Sequence, residues 1–162
     1  WIWYQETRTP WRPQAADAAG RMDLLQALMH RVTSRMTYRV GATTVDASAA
    51  EALARGAGVS QDFAHVFVAC CRSLGIPARY ASGCVNKDGL AHVSRLGHAW
   101  AEVHVPDLGW IGFDPANGAR ATGEYLKLGI GLDYAEAAPV TGRRIGGGEA
   151  AMEVDVSVTR IG

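Results

Sequence analysis

Apolar residues recur along the chain with two periods. Between Gln14 and about Met36, residues Leu24, Leu25, Leu28 and Val32 fall on one side at helical spacing, which predicts an amphipathic helix starting near Ala15. The stretch from Met36 to Gly58 reads as a loop carrying a short helix over Ala49 to Arg55 and a glycine exit. From Ser60 to Leu74 the apolar positions Phe63, Phe67, Cys70, Cys71 and Leu74 predict a buried helix, with Gly75 and Pro77 to end it. The period then drops to two. "ARYASGCV" reads as a strand and "NKDGLAHVSRLG" as a polar loop. "HAWAEVHV" alternates strictly, so His98, Trp100, Glu102 and His104 share one face and Ala99, Ala101, Val103 and Val105 the other. "PDLG" supplies a turn, "WIGFDP" a return strand, and "AMEVDVSVTRI" a last alternating strand. The aromatic-rich opening "WIWYQETRTPW" is too apolar for a solvated tail and is expected to pack on something. Helices first and an antiparallel sheet afterwards make an α+β fold.

At 162 residues and 48% hydrophobic composition the chain suits one domain, residues 1–162, with one core. It begins at Trp1 rather than Met, so an upstream domain or a processed start is compatible with the reading. Sixteen basic residues balance sixteen acidic ones without a basic run, which argues against nucleic acid as a partner. No stretch approaches the ~20 apolar residues that would span a bilayer, so no membrane partner is expected. Cys70, Cys71 and Cys84 are an odd set without metal-ligand spacing. Reduced thiols and a cytoplasmic location fit best.

Ser60, His98 and Asp114 are, in chain order, a nucleophile type, a base type and an orienting type, each at the end of a regular element. Acyl transfer requires such a set: one group attacks a carbonyl carbon, an imidazole moves the proton, and a carboxylate holds the imidazole's tautomer. A helix amino terminus adds a positive dipole end and N–H groups at the nucleophile. Cys70 and Cys71 lie nearly three turns inside the helix and read as packing residues. Each choice has a plainer reading: Ser60 as a helix N-cap, His98 as a strand-surface histidine, His65 as a packed helix residue. Gln61 is a candidate polar neighbour of the oxyanion, although the backbone N–H of residue 60 is the safer donor. Trp100 and Trp110 are candidates to roof a substrate channel, with packing the commoner role of such residues. Metal ligands at every second strand position diverge, so His98, Glu102 and His104 imply no metal.

"GAGVSQDFAHVFVACCRSLGIPARYASGCV", followed by "GHAWAEVHVPDLGWIGFDPANG", resembles the core of the bacterial transglutaminase-like superfamily, papain-like enzymes with a Cys-His-Asp triad. Three separated blocks agree in order and spacing over roughly three quarters of the chain. The resemblance implies a papain-like core, His98 as base, Asp114 as its orienter, a protein or peptide substrate, and no cofactor. The family's nucleophile falls on Ser60, where "GVCQDFAH" would carry cysteine. A hydroxyl is far less acidic than a thiol, whose ordinary pKa is ~8.5, so a histidine and a helix dipole that make a thiolate leave Ser60 protonated. The simplest expectation is a deliberate Cys-to-Ser replacement that silences the enzyme and keeps its shape; a natural non-catalytic homologue and a serine hydrolase are the alternatives.

The triad also sets a strand register. In an antiparallel pair, opposed residues share a face and their numbers have a constant sum, so His98 and Asp114 share a face only if that sum is even. A hairpin closing Val105 on Trp110 gives an odd sum and separates them. The triad therefore requires either an odd connection, with Val105 opposite Gly109 and His104 opposite Trp110, or a β-bulge.

Overall fold

The computed structural model describes residues 17–44, 47–85 and 97–139. The aromatic opening and the expected terminal strand over 151–161 lie outside them. Helix α1 (Ala18–Arg35) starts where Asp17 Oδ1 accepts the N–H of Gly20 at 2.8 Å, and it buries Leu24, Leu25, Leu28, Met29 and Val32. Helix α2 (Ala49–Arg55) begins with a reciprocal Ser48–Glu51 capping box. It stops at Gly56, whose φ of 63° is left-handed. On either side of α2, β1 (Thr37–Tyr38) and β2 (Ala57–Gly58) pair in parallel, inside a stretch the sequence pattern assigns to loop. Two-residue strands are too short for any alternation to show.

Helix α3 (Ser60–Ser73) spans the expected segment, and its Phe63, Val66, Phe67 and Cys71 are buried. Among the described residues, five strands form one antiparallel sheet: β3 (Ala78–Val85), β4 (His98–Val105), β5 (Gly109–Asp114), β6 (Ala119–Arg120) and β7 (Tyr125–Gly131), in spatial order β6-β5-β4-β3-β7. A short helix, α4, covers Tyr134–Ala137. The core joins the apolar sides of α1 and α3 to Ala101, Val103 and Val105 of β4 and Phe113 of β5. Phe67 lies 5.6 Å from Phe113, ring centroid to centroid. The α+β architecture is as expected, helices on an antiparallel sheet.

The β4–β5 hairpin takes the register with the even sum. Val105 lies opposite Gly109, His104 opposite Trp110, and Ala101 opposite Phe113. The three-residue connection turns through Pro106 and Asp107, the latter with a left-handed φ of 63°, and Leu108 N–H donates to Val105 O at 3.2 Å. Strand β7 and helix α4 have no counterpart in the sequence reading. The side of β7 that alternation would send inward carries Leu126, Leu128 and Ile130, which are exposed, while Tyr125 and Lys127 turn toward the sheet's polar interior.

Candidate active site

Ser60 opens α3 and is buried. Three features fix its place. Val59 precedes it in extended conformation as N-cap and has no side-chain acceptor to offer. The Asp62 carboxylate compensates by turning back: Oδ2 accepts the N–H of Val59 at 2.7 Å and the hydroxyl of Thr43 at 2.6 Å. Asp62 lies against Gly58, where a Cβ would sit 2.5 Å from Oδ2, so only glycine lets the carboxylate close over the turn. One turn past Ser60 and one residue past His98, Ala64 and Ala99 join Tyr80 in a small buried cluster, which anchors the start of α3 to the start of β4. Gln61 is half-buried.

His98 opens β4, and Asp114 ends β5, fully buried. His98 Nε2 lies 2.7 Å from Asp114 Oδ2. An ionised carboxylate only accepts, so Nε2 carries the hydrogen and Nδ1 is the nitrogen left for proton transfer. Trp100 is 2% exposed and stacks on His98 with ring centroids 6.4 Å apart and planes at 25°. It packs against the imidazole. Trp110 stands at the other end of the hairpin beneath the Arg79 guanidinium, 4.1 Å from the ring centroid.

Asp114 has more partners than the sequence suggested. Oδ1 accepts the N–H groups of Ala116 and Asn117 at 3.1 and 3.2 Å, a local turn that an aspartate two or three residues upstream readily makes. Oδ2 also accepts from Asn117 Nδ2 at 2.6 Å and from the Tyr125 hydroxyl at 2.8 Å. The following residue is tied to α1, because Thr33 Oγ1 donates to Pro115 O at 2.8 Å. Burial opposes ionisation of Asp114, but the hydrogen bond and charge of His98, with the bonds from Asn117 and Tyr125, outweigh it and hold the carboxyl below the usual carboxylate range. Asn117 follows Asp114 in "DPAN" and could have been suspected; Tyr125 has no local signal.

The cysteines and His65 are built differently. Burial pushes the Cys70 thiol up to about 11 and raises Cys71 and Cys84 as well, so none is poised as a thiolate. His65 accepts the N–H of Tyr134 on Nε2 at 3.1 Å and packs on Tyr80. Burial lowers its pKa, against opposing pulls from Asp133 and Asp62. It holds α4 in place and stands apart from the His98–Asp114 pair.

Residues 11–115 match the profile of the transglutaminase-like superfamily. The chain belongs to that superfamily. An uncharacterized protein of Mycobacterium leprae is 37% identical over 132 residues, covering 79% of this chain and 47% of the relative. An uncharacterized Mycobacterium tuberculosis protein is 35% identical over 146 residues, 85% of this chain and 46% of the relative. The chain thus spans about half the length of these relatives. Among solved structures, a candidate cysteine protease from Cytophaga hutchinsonii aligns with a TM-score of 0.62 at 30% identity, over 72% of this chain and 38% of that one. Among the described residues, no helix is long and apolar enough to cross a membrane.

Proposed function

We infer that this chain is the acyl-transfer core of a transglutaminase-like enzyme acting on a peptide, isopeptide or other amide carbonyl, with serine at the nucleophile position and catalysis silenced for that reason. The observation that carries the reading is the 2.7 Å His98–Asp114 pair, in the register that puts both side chains on one face at the end of the sheet where α3 begins. With a thiol at residue 60, the thiolate would attack the carbonyl carbon, and the resulting oxyanion would take N–H groups at the start of α3. His98 would pass its Nδ1 proton to the leaving amine, and the collapsing intermediate would leave an acyl thioester. Water, deprotonated by the same imidazole, would release the acid and restore the thiolate. Hydrolysis is favoured over transfer to an amine, because water is always available and transfer demands a second specific site. Partners are therefore protein or peptide substrates.

Ser60 itself favours a second reading, a peptide-binding module that has kept the cleft and lost the chemistry. A Ser60→Cys variant offered a peptide library, with released fragments and amine incorporation both followed, separates the two. Fragment release supports the hydrolase, incorporation the transferase. Tight peptide binding with neither product supports the module and sinks the enzyme reading. Fluorophosphonate labelling of Ser60 in the unsubstituted chain would instead mark a serine hydrolase.

A further inference from the structure

Five donors converge on one carboxylate. Two come from the turn that follows Asp114 and cost the fold nothing special. The other three crowd onto Oδ2, from His98, Asn117 and Tyr125, at 2.7, 2.6 and 2.8 Å. A carboxylate has about four lone-pair sites, two on each oxygen, so Oδ2 is over-subscribed. Tyr125 also reaches it from a distance in topology. Asp114 ends β5 and Tyr125 begins β7, with β4 and β3 between them in the sheet. The phenol crosses that gap with its ring edge-on to Trp100, centroids 5.3 Å apart at 81°, and 6.1 Å from the His98 ring. It is half-buried, and water could have satisfied its hydroxyl without any of this.

Donors that share an acceptor weaken one another, because each draws on the same negative charge. Tyr125 and Asn117 are neutral and cannot cancel that charge. They divide it, and they stop the carboxylate from rotating. We propose that Tyr125 and Asn117 are positioning residues: they lock Asp114 Oδ2 onto His98 Nε2 and limit how strongly the carboxylate holds the imidazolium, so that Nδ1 can release its proton to a leaving group. The inference rests on His98 and Asp114 acting as base and orienter.

The first test uses the chain with Ser60 in place and needs no substrate. The hydrogen between Nε2 and a carboxylate gives a low-field proton resonance, assigned by its loss in His98→Gln. Removing a competing donor with Tyr125→Phe strengthens the remaining His98 bond and moves the resonance downfield. 3-Fluorotyrosine at position 125 is a stronger donor and moves it upfield. Asn117→Ala, at an exposed position that the fold tolerates, repeats the downfield shift should Tyr125→Phe fail to fold. In the Ser60→Cys background, Tyr125→Phe lowers kcat about tenfold, as losing a hydrogen bond to a charged group implies, and leaves KM unchanged. A resonance that ignores donor strength, or that is missing from the unsubstituted chain, overturns the proposal even where melting temperatures fall. A resonance that tracks donor strength in a protein that neither cleaves a peptide nor incorporates an amine after Ser60→Cys upholds the positioning role and defeats the acyl-transfer reading instead.

Discussion

Glu102 and Asp114 are both buried carboxylates on the polar side of the same sheet, and they are satisfied in opposite ways. Arg79 places Nε and Nη2 at 2.8 and 2.7 Å from Glu102 Oε2, and Lys127 places Nζ at 2.6 Å from Oε1. Those partners are a guanidinium and an ammonium. Asp114 is held by four neutral donors and one imidazole. Both arrangements answer the same requirement, that a buried charge find hydrogen bonds. They differ in what is left over. The Glu102 charge is met by two basic side chains, which suits a brace between β3, β4 and β7. The Asp114 charge is cancelled only when His98 is protonated, the state a carboxylate must stabilise while the imidazole carries a proton.

The contrast is broken most sharply by removing each carboxylate from a Ser60→Cys protein. Asp114→Ala should cut turnover by about 10³- to 10⁴-fold, as loss of the orienting group does in comparable triads. It should also remove the fast alkylation of the new thiol by iodoacetamide at pH 6. Glu102→Gln should leave turnover per folded molecule in place. Comparable losses from the two variants would erase the functional distinction.

Next in size is a change that disturbs both carboxylates at once. Strand β7 supplies one partner to each, Tyr125 and Lys127, and Gly83 lies opposite Lys127, where the register shifts next to Ser82. A Cβ at residue 83 would collide with the backbone oxygen of Leu126 and press on the Trp100 ring. Gly83→Ala should therefore destabilise the fold by about 1–3 kcal/mol, as over-packing does. Thermal melting measures the loss, and an unchanged melting temperature would mean that β7 is not held against β3 as described.

How far these features could be read from the chain differs by strand. The alternation of "HAWAEVHV" shows which side of β4 meets α3, and the need to place His98 beside Asp114 leaves an odd connection or a bulge, of which the structure has the former. Strand β7 escapes the same logic. Its apolar side, Leu126, Leu128 and Ile130, faces solvent, and its inward side offers a tyrosine, a lysine and glycines. A reader who equates apolar with inward finds the wrong face or no strand. Tyr125 is lost for a related reason: its contact to Asp114 arises from the path of the chain across the end of the sheet, and no local pattern encodes that path. Asp62 was legible only as part of a family block, although its capping of Val59 is ordinary helix-start chemistry.

The smallest expected effect separates the carboxylates by pH. Asp114 is held below the usual carboxylate range in the folded chain, despite its burial, by His98 and then by Asn117 and Tyr125. An unfolded aspartate titrates near ~3.9. A group whose folded value lies below its unfolded one contributes stability that is complete above the unfolded value and is lost as pH falls through the folded one. Asp114→Asn has no proton to gain in that range. The stability difference between the unsubstituted chain and Asp114→Asn should thus shrink as pH falls below ~4. Tyr125→Phe removes one of the bonds that favour the anion, so its acid loss should begin at a slightly higher pH than that of the unsubstituted chain. Urea midpoints collected between pH 2 and pH 6 give both curves. A difference between the unsubstituted chain and Asp114→Asn that stays constant across that range would mean that the Asp114 carboxylate gains nothing from its five donors on folding, and its separation from Glu102 would then rest on activity alone.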